Sequence, residues 1–106
     1  MMIEMREIIK NATKYYIMKE NGLLDKEAED KMLFIESSIK ALRGDNKQIM
    51  TAYFCDGISV TIIADNVHLS RQSVYKRLDK LAREFENIYS EKIQDYTKVD
   101  KNINVG

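Results

Sequence analysis

From Gly57 to Leu81 the apolar residues change phase partway along. Ile58, Ile62, Ile63 and Val67 are followed by Leu69, Val74, Leu78 and Leu81. An α-helix returns to one face every 3.6 residues, so no continuous helix puts them all on one side. The stretch therefore predicts two short helices meeting at an angle, one from about Val60 to Asn66 and one beginning at Arg71. Ser59 and Ser70 stand where each helix needs an oxygen to accept from its first N–H groups. Val67-His68-Leu69 is the turn. Two helices joined in this way form a helix-turn-helix. The first braces the second through Ile62, Ile63, Val67 and Leu69 against Val74 and Leu78, and the second presents its opposite face to a partner.

That second helix is basic. Between Arg71 and Arg83 stand Arg71, Lys76, Arg77, Lys80 and Arg83, with Asp79 the one acid. The formal net charge of the 106-residue chain is zero. Nucleic-acid binding depends on the local footprint of charge, so a neutral total does not exclude it. Gln72 can pair with adenine and Arg71 with guanine in the major groove. Ser70, Ser73, Tyr75, Lys76, Arg77 and Lys80 can hold phosphates, with Ser59 at the start of the bracing helix. Arg71, Gln72 and Lys76 are the stronger candidates for contact. Tyr75 serves equally well as a partly buried prop.

Elsewhere the chain also reads as helix. It holds no Pro and 4 Gly, with 44% apolar and 32% charged residues, which favours an all-α fold. Met2 to Glu20 is expected as one helix, with Met5, Ile8, Ile9, Ala12 and Tyr16 near one face, stopped at Asn21-Gly22. Asp25 caps the next helix. There Ala28, Met32, Ile35, Ile39 and Leu42 step by four and three, and Gly44 ends it. Asp45 starts a third helix, with Ile49, Met50, Tyr53 and Phe54 inward and Asp56-Gly57 as its stop. The last helix keeps Val74, Leu78, Leu81, Phe85 and Ile88 on one face and is expected to reach about Gln94. The expectation is thus about five helices in a single helical domain over 1–96. Within it, 1–44 form an N-terminal pair and 45–96 the helix-turn-helix with its extended last helix; 97–106 are a flexible tail.

The residues Gly57-Ile58-Ser59, Ile63-Ala64, Leu69-Ser70-Arg71-Gln72-Ser73-Val74-Tyr75 and Arg77-Leu78 resemble region 4 of bacterial sigma factors and related small regulators. In that family a helix ending in an aromatic pair and an acidic-Gly turn precedes G-[LI]-S-x-x-E-I-A, and Tyr53-Phe54-Cys55-Asp56-Gly57 fits the lead-in. The resemblance covers about Asp45 to Phe85. Small phage and plasmid regulators of Gram-positive bacteria have a similar layout. The resemblance implies that the basic helix recognises DNA. Ile62 stands where the family usually has Glu, and is open to an interface with the N-terminal helices or a second subunit. His68 stands where the family often has a turn Gly; His tolerates positive φ better than most residues.

These features point to a double-stranded DNA-binding transcription regulator with no cofactor. The last helix extends beyond what a groove needs, so Phe85, Ile88 and Ile93 either pack on the N-terminal helices or pair two copies as a homodimer. The rival reading is a sigma-like adaptor or inhibitor that docks on RNA polymerase or another nucleic-acid-binding machine, as a mobile element could use. No phosphate loop, nucleophile elbow or paired-ligand spacing marks an enzyme. One His and one Cys, His68 and Cys55, give no metal-site spacing. No apolar run is long enough to cross a membrane, the N-terminus does not read as a signal peptide, and a lone Cys suits the cytoplasm.

Overall fold

The computed structural model describes residues 4–105, with side chains described through Lys92. Among them are six α-helices and no strand: α1 (Met5–Lys10), α2 (Ala12–Glu20), α3 (Lys26–Ala41), α4 (Gly44–Met50), α5 (Val60–Val67) and α6 (Arg71–Val105). A π-helical segment, Thr51–Cys55, continues α4. The helix count rises above five because the first expected helix is broken. At Asn11 the backbone leaves the helical region (φ −117°, ψ 38°). Its side-chain Nδ2 donates to the Glu7 carbonyl at 3.1 Å and to Glu7 Oε1 at 3.2 Å. This local bonding competes with the helical ladder. The break turns Tyr15 rather than Tyr16 fully inward, beside Met5, Ile8, Ile9 and Ala12. Met2, the expected helix start, lies outside the described residues.

Asp25 caps α3 as expected, its Oδ1 accepting from the Ala28 N–H at 2.9 Å. Ala28, Met32, Ile35 and Ile39 are buried. Asp45 is not the cap of α4; that helix starts at Gly44, with Arg43 as an N-cap that makes no side-chain bond. The π-segment has a wider turn, in which Asp56 N–H donates to Thr51 O, and Ile58 N–H closes its end on Ala52 O. An added residue per turn sends neighbouring side chains to different places. Phe54 enters the core against the Tyr16 ring, 5.4 Å between centroids. Tyr53 instead reaches α1, where its hydroxyl donates to the Lys10 carbonyl at 3.3 Å.

One core serves every helix. Ile8 and Ile9 of α1, Met32 and Ile35 of α3, Ile49 and Met50 of α4, Ile63 and Ala64 of α5, and Val74, Leu78, Leu81 and Phe85 of α6 form a single buried cluster. Phe85 is 3% exposed, so it packs inside its own chain. Ile88 is 44% exposed, and the side chain of Ile93 lies outside the described ones. The helical backbone of α6 continues past Gln94 to Val105. At about 1.5 Å per residue it is roughly 52 Å long, which accounts for the 56 Å long dimension of the molecule. No Pro or Gly interrupts it before Gly106.

The turn between α5 and α6 rests on His68. Its φ of 58° and ψ of 42° are left-handed, and its N–H and that of Leu69 both donate to the Ala64 carbonyl. His68 is exposed and its side chain bonds with none of the described residues, so the backbone conformation decides its replacement. We expect His68→Val to lower the unfolding free energy by about 1–2 kcal/mol, the cost of a β-branched residue in this region. His68→Gly should be neutral or slightly stabilising, since relief of strain offsets the added freedom of the unfolded chain. Urea denaturation of both variants checks the order; equal stability would sink it.

Candidate nucleic-acid interface

The helix-turn-helix forms from its own caps. Ser59 Oγ accepts from the Ile62 N–H at 3.4 Å. Ser70 Oγ accepts from the Ser73 N–H at 3.1 Å and lies 2.9 Å from Ser73 Oγ. These hydroxyls are occupied in shaping the helix starts, and Ser73 is half-buried. Val60, Ile63 and Ala64 of α5 are buried against Val74 and Leu78 of α6 within the common core. Val67 and Leu69 pack on it while half-buried. Ile62 does not brace α6: it is 53% exposed. It follows Thr61, also exposed, on the outer side of the helix, because α5 has only one narrow side turned to the core.

Along α6 the side chains sort by their angle around the axis. Val74, Leu78, Leu81 and Phe85 point to the core. Gln72, Lys76, Lys80 and Arg83 are exposed and, at about 100° per residue, fall on the opposite side. Arg71 is exposed at the first turn, and Tyr75 is 54% exposed. Arg77, expected on this face, is half-buried. Its Nη1 donates to Asn46 Oδ1 of α4 at 3.3 Å, because one step from the outward line carries it to the shoulder that α4 covers. Asp79, the one acid of the segment, lies on the other shoulder, 3.3 Å from Arg6 Nε of α1. The outward face therefore carries Gln72, Lys76, Lys80 and Arg83, with Arg71 at the helix start and Asp79 at the edge, its charge offset by Arg6.

Sequence reading placed no N-terminal residue here, yet α1 closes one side of the site. Arg6, Lys10, Tyr53, Tyr75 and Asp79 line a cleft of about 520 Å³ floored by Ile9, Leu78 and Ala82. Burial, and then the nearby Tyr75 phenol, push the Tyr53 hydroxyl above its ordinary pKa. Spacing along the chain holds no signal for this contact, because nearly seventy positions separate Arg6 from Tyr75. Elsewhere, Tyr16 donates a short hydrogen bond to Glu36. Burial, followed by the charges of Glu36 and Asp56, raises the Cys55 thiol, which leaves it a poor nucleophile.

Among the described residues no group of His, Cys, Asp and Glu could hold a metal ion, and no helix is long and apolar enough to cross a membrane. No curated relative and no solved structure matches the chain. One family model does, described as "Putative helix-turn-helix protein, YlxM / p13 like", over residues 24–105. The match includes α3 as well as the helix-turn-helix, and it spans well over half of the chain; the protein belongs to this YlxM / p13-like helix-turn-helix family.

Proposed function

We propose that the protein is a sequence-specific double-stranded DNA-binding regulator of transcription, acting in the cytoplasm, with α6 entering the major groove. The observation that carries this reading is the outward face of α6, basic but for Asp79, whose charge Arg6 offsets, directly after a capped, left-handed turn. A major groove about 12 Å wide admits one helix. In that docking α5 crosses the sugar-phosphate backbone, and the first turns of α6 meet base edges. Arg71 and Gln72 reach bases; Lys76 and Lys80 contact phosphates farther along. Tyr75 stands at the groove edge, where its hydroxyl can reach a phosphate. Ser59, Ser70 and Ser73 act mainly by setting the helix starts, whose N–H groups favour phosphate. Arg77 supports the fold through Asn46.

Binding of the protein's own upstream DNA and a scrambled duplex, followed by fluorescence anisotropy, tests the reading. Arg71→Ala and Gln72→Ala should each weaken specific binding by about 1–3 kcal/mol while scarcely changing the scrambled complex. Lys76→Ala and Lys80→Ala should weaken both complexes and each reduce the salt slope by about 1. Thermal midpoints should stay unchanged, since these side chains are exposed. If the protein binds as a homodimer, as proposed from the length of α6, footprints should show two half-sites about 34–36 Å apart or at a multiple of that spacing.

The exposed Ile62 favours a second reading, in which the outer side of α5 docks on a protein such as RNA polymerase. Salt separates the two. Phosphate contacts weaken steeply as counterions are added, whereas an apolar protein contact changes little.

A further inference from the structure

The first two helices carry cations to the side of the reading face. Lys10 ends α1 and Lys14 lies in the first turns of α2; both are exposed. Neither forms a salt bridge with a described residue. The contact that places them is close. Gly57, at φ +67°, makes the turn before α5, and a Cβ added there would meet Thr13 Oγ1 at 3.7 Å. The start of α2 therefore abuts the start of α5. Lys10, Thr13 and Lys14 line one shallow cleft with Gly57 and Ser59. Lys10 also lines the larger cleft with Tyr53 and Tyr75, and Arg6 joins Arg83 beyond it. Cations and hydroxyls thus run from the cap of α5, across the α1–α2 junction, to the outward face of α6. Asp79 interrupts this run, and Arg6 already offsets its charge. Other acids border the run: Glu7, with Asn11 Nδ2 donating to its carboxylate, Glu4 and Glu86 beside Arg6 and Arg83, and Asp56 before Gly57.

We propose that the α1–α2 junction is a second phosphate-contacting arm, in which Lys10 and Lys14 hold the sugar-phosphate backbone bordering the groove that α6 enters. This rests on the DNA-binding reading above. The argument is one of dimensions and charge. A helix with its side chains is about 10–12 Å across and fills a groove about 12 Å wide. Whatever packs on the shoulder of such a helix meets the phosphates that border the groove. α1 occupies that shoulder, at Tyr75, Asp79 and Ala82. The junction presents two exposed ammonium groups that pair with no acid among the described residues, with hydroxyls beside them, which suits phosphodiester oxygens. An ammonium acts on phosphate as a point charge without fixed geometry, so the arm adds affinity and register but no base preference.

The test is the dependence of affinity on salt, between about 50 and 200 mM, for the full chain on its own upstream duplex and on a scrambled duplex. Lys10→Gln combined with Lys14→Gln should lower the slope of log K against log salt by about 1.8, at about 0.9 per phosphate contact. It should weaken both duplexes alike. Lys10→Arg with Lys14→Arg should retain the wild-type slope. The Tyr53 bond to residue 10 uses the backbone carbonyl, so these changes leave it in place. Lys14→Gln alone, with an expected drop of about 0.9, keeps the test open should the double variant fold poorly. An unchanged slope in the glutamine variants, while Lys76→Ala still lowers it, overturns the arm and leaves the α6 interface standing. A wild-type protein with no salt-sensitive duplex affinity overturns both. Retained DNA slope with loss of binding to an acidic protein would instead assign the junction to a protein partner and overturn the phosphate arm.

Discussion

Phe54→Ala is expected to lower the unfolding free energy by about 3–5 kcal/mol, the usual cost of removing a fully buried aromatic ring. Phe54 is 1% exposed and packs on the half-buried Tyr16 ring. It sits where the π-segment hands the chain over to the Gly57 turn, so a cavity there lies beneath the start of the helix-turn-helix. Small domains have total stabilities of about 5–15 kcal/mol, so the loss is a large fraction of what the fold has. Phe54→Leu keeps most of the apolar volume and should cost clearly less. The neighbouring Tyr53→Phe is the control: it deletes one 3.3 Å hydrogen bond near the surface and should cost about 1 kcal/mol or less. Urea denaturation gives all three. A Phe54→Ala protein as stable as Tyr53→Phe would mean that the π-segment does not hold the ring in the core. DNA binding by Phe54→Ala should fall in proportion to the fraction unfolded and return at lower temperature, unlike the loss from Arg71→Ala.

The helix-turn-helix was legible in the sequence because its signals are local. Ser59 and Ser70 are caps within three residues of the N–H groups they satisfy, and His68 in a position that wants positive φ needs only its own backbone. The phase change in apolar residues marks two helices where one continuous helix would fail. What was not legible depends on distant residues or on finer balances. The π-turn at Thr51–Cys55 differs from an α-turn by one residue, and the inward pattern of Ile49, Met50 and Phe54 fits either. The break at Asn11 comes from a side chain competing with the ladder, and the same Asn can sit within a helix. Arg77 is one step from the outward line, and only the position of Asn46 decides where it goes. Phe85 and Ile88 share an apolar stripe, yet the core closes between them. The basic shoulder at Lys10 and Lys14 requires knowing that α1 lies on α6, which no periodicity within either helix records.

Lys31 shows the same limit inside the core and leads to the second large effect. It lies one position before Met32 on α3, and a Lys at the edge of an apolar stripe is ordinarily solvated. Here α6 covers it, and it is 1% exposed. Its ammonium is 3.7 Å from Glu27 and 3.6 Å from Glu86, with the Tyr89 ring centroid at 5.5 Å. Removing one partner of a buried charge is worse than removing the charge itself. Glu86→Ala should therefore lower the unfolding free energy by about 3 kcal/mol, the low end for breaking a buried pair because Glu27 remains. Glu86 Oε2 accepts no hydrogen bond from the described residues, so the loss reports mainly on its other oxygen and Lys31. Lys31→Met keeps the length of the stem and takes the charge away. Glu27 and Glu86 are partly exposed, so each can swing toward water once the ammonium is gone, although Glu86 Oε2 is buried in the native packing. That variant should stay within about 1 kcal/mol of the original protein or exceed it. The double variant Lys31→Met/Glu86→Ala should recover much of what Glu86→Ala alone loses, giving a coupling that a double-mutant cycle measures directly. Equal losses from Glu86→Ala with and without Lys31 would show that the carboxylate matters for packing rather than for the ammonium. Because this pair ties α3 to α6 behind the reading face, Lys31→Met should bind DNA with unchanged salt slope, which separates a charge that holds the fold from the charges proposed to hold phosphate.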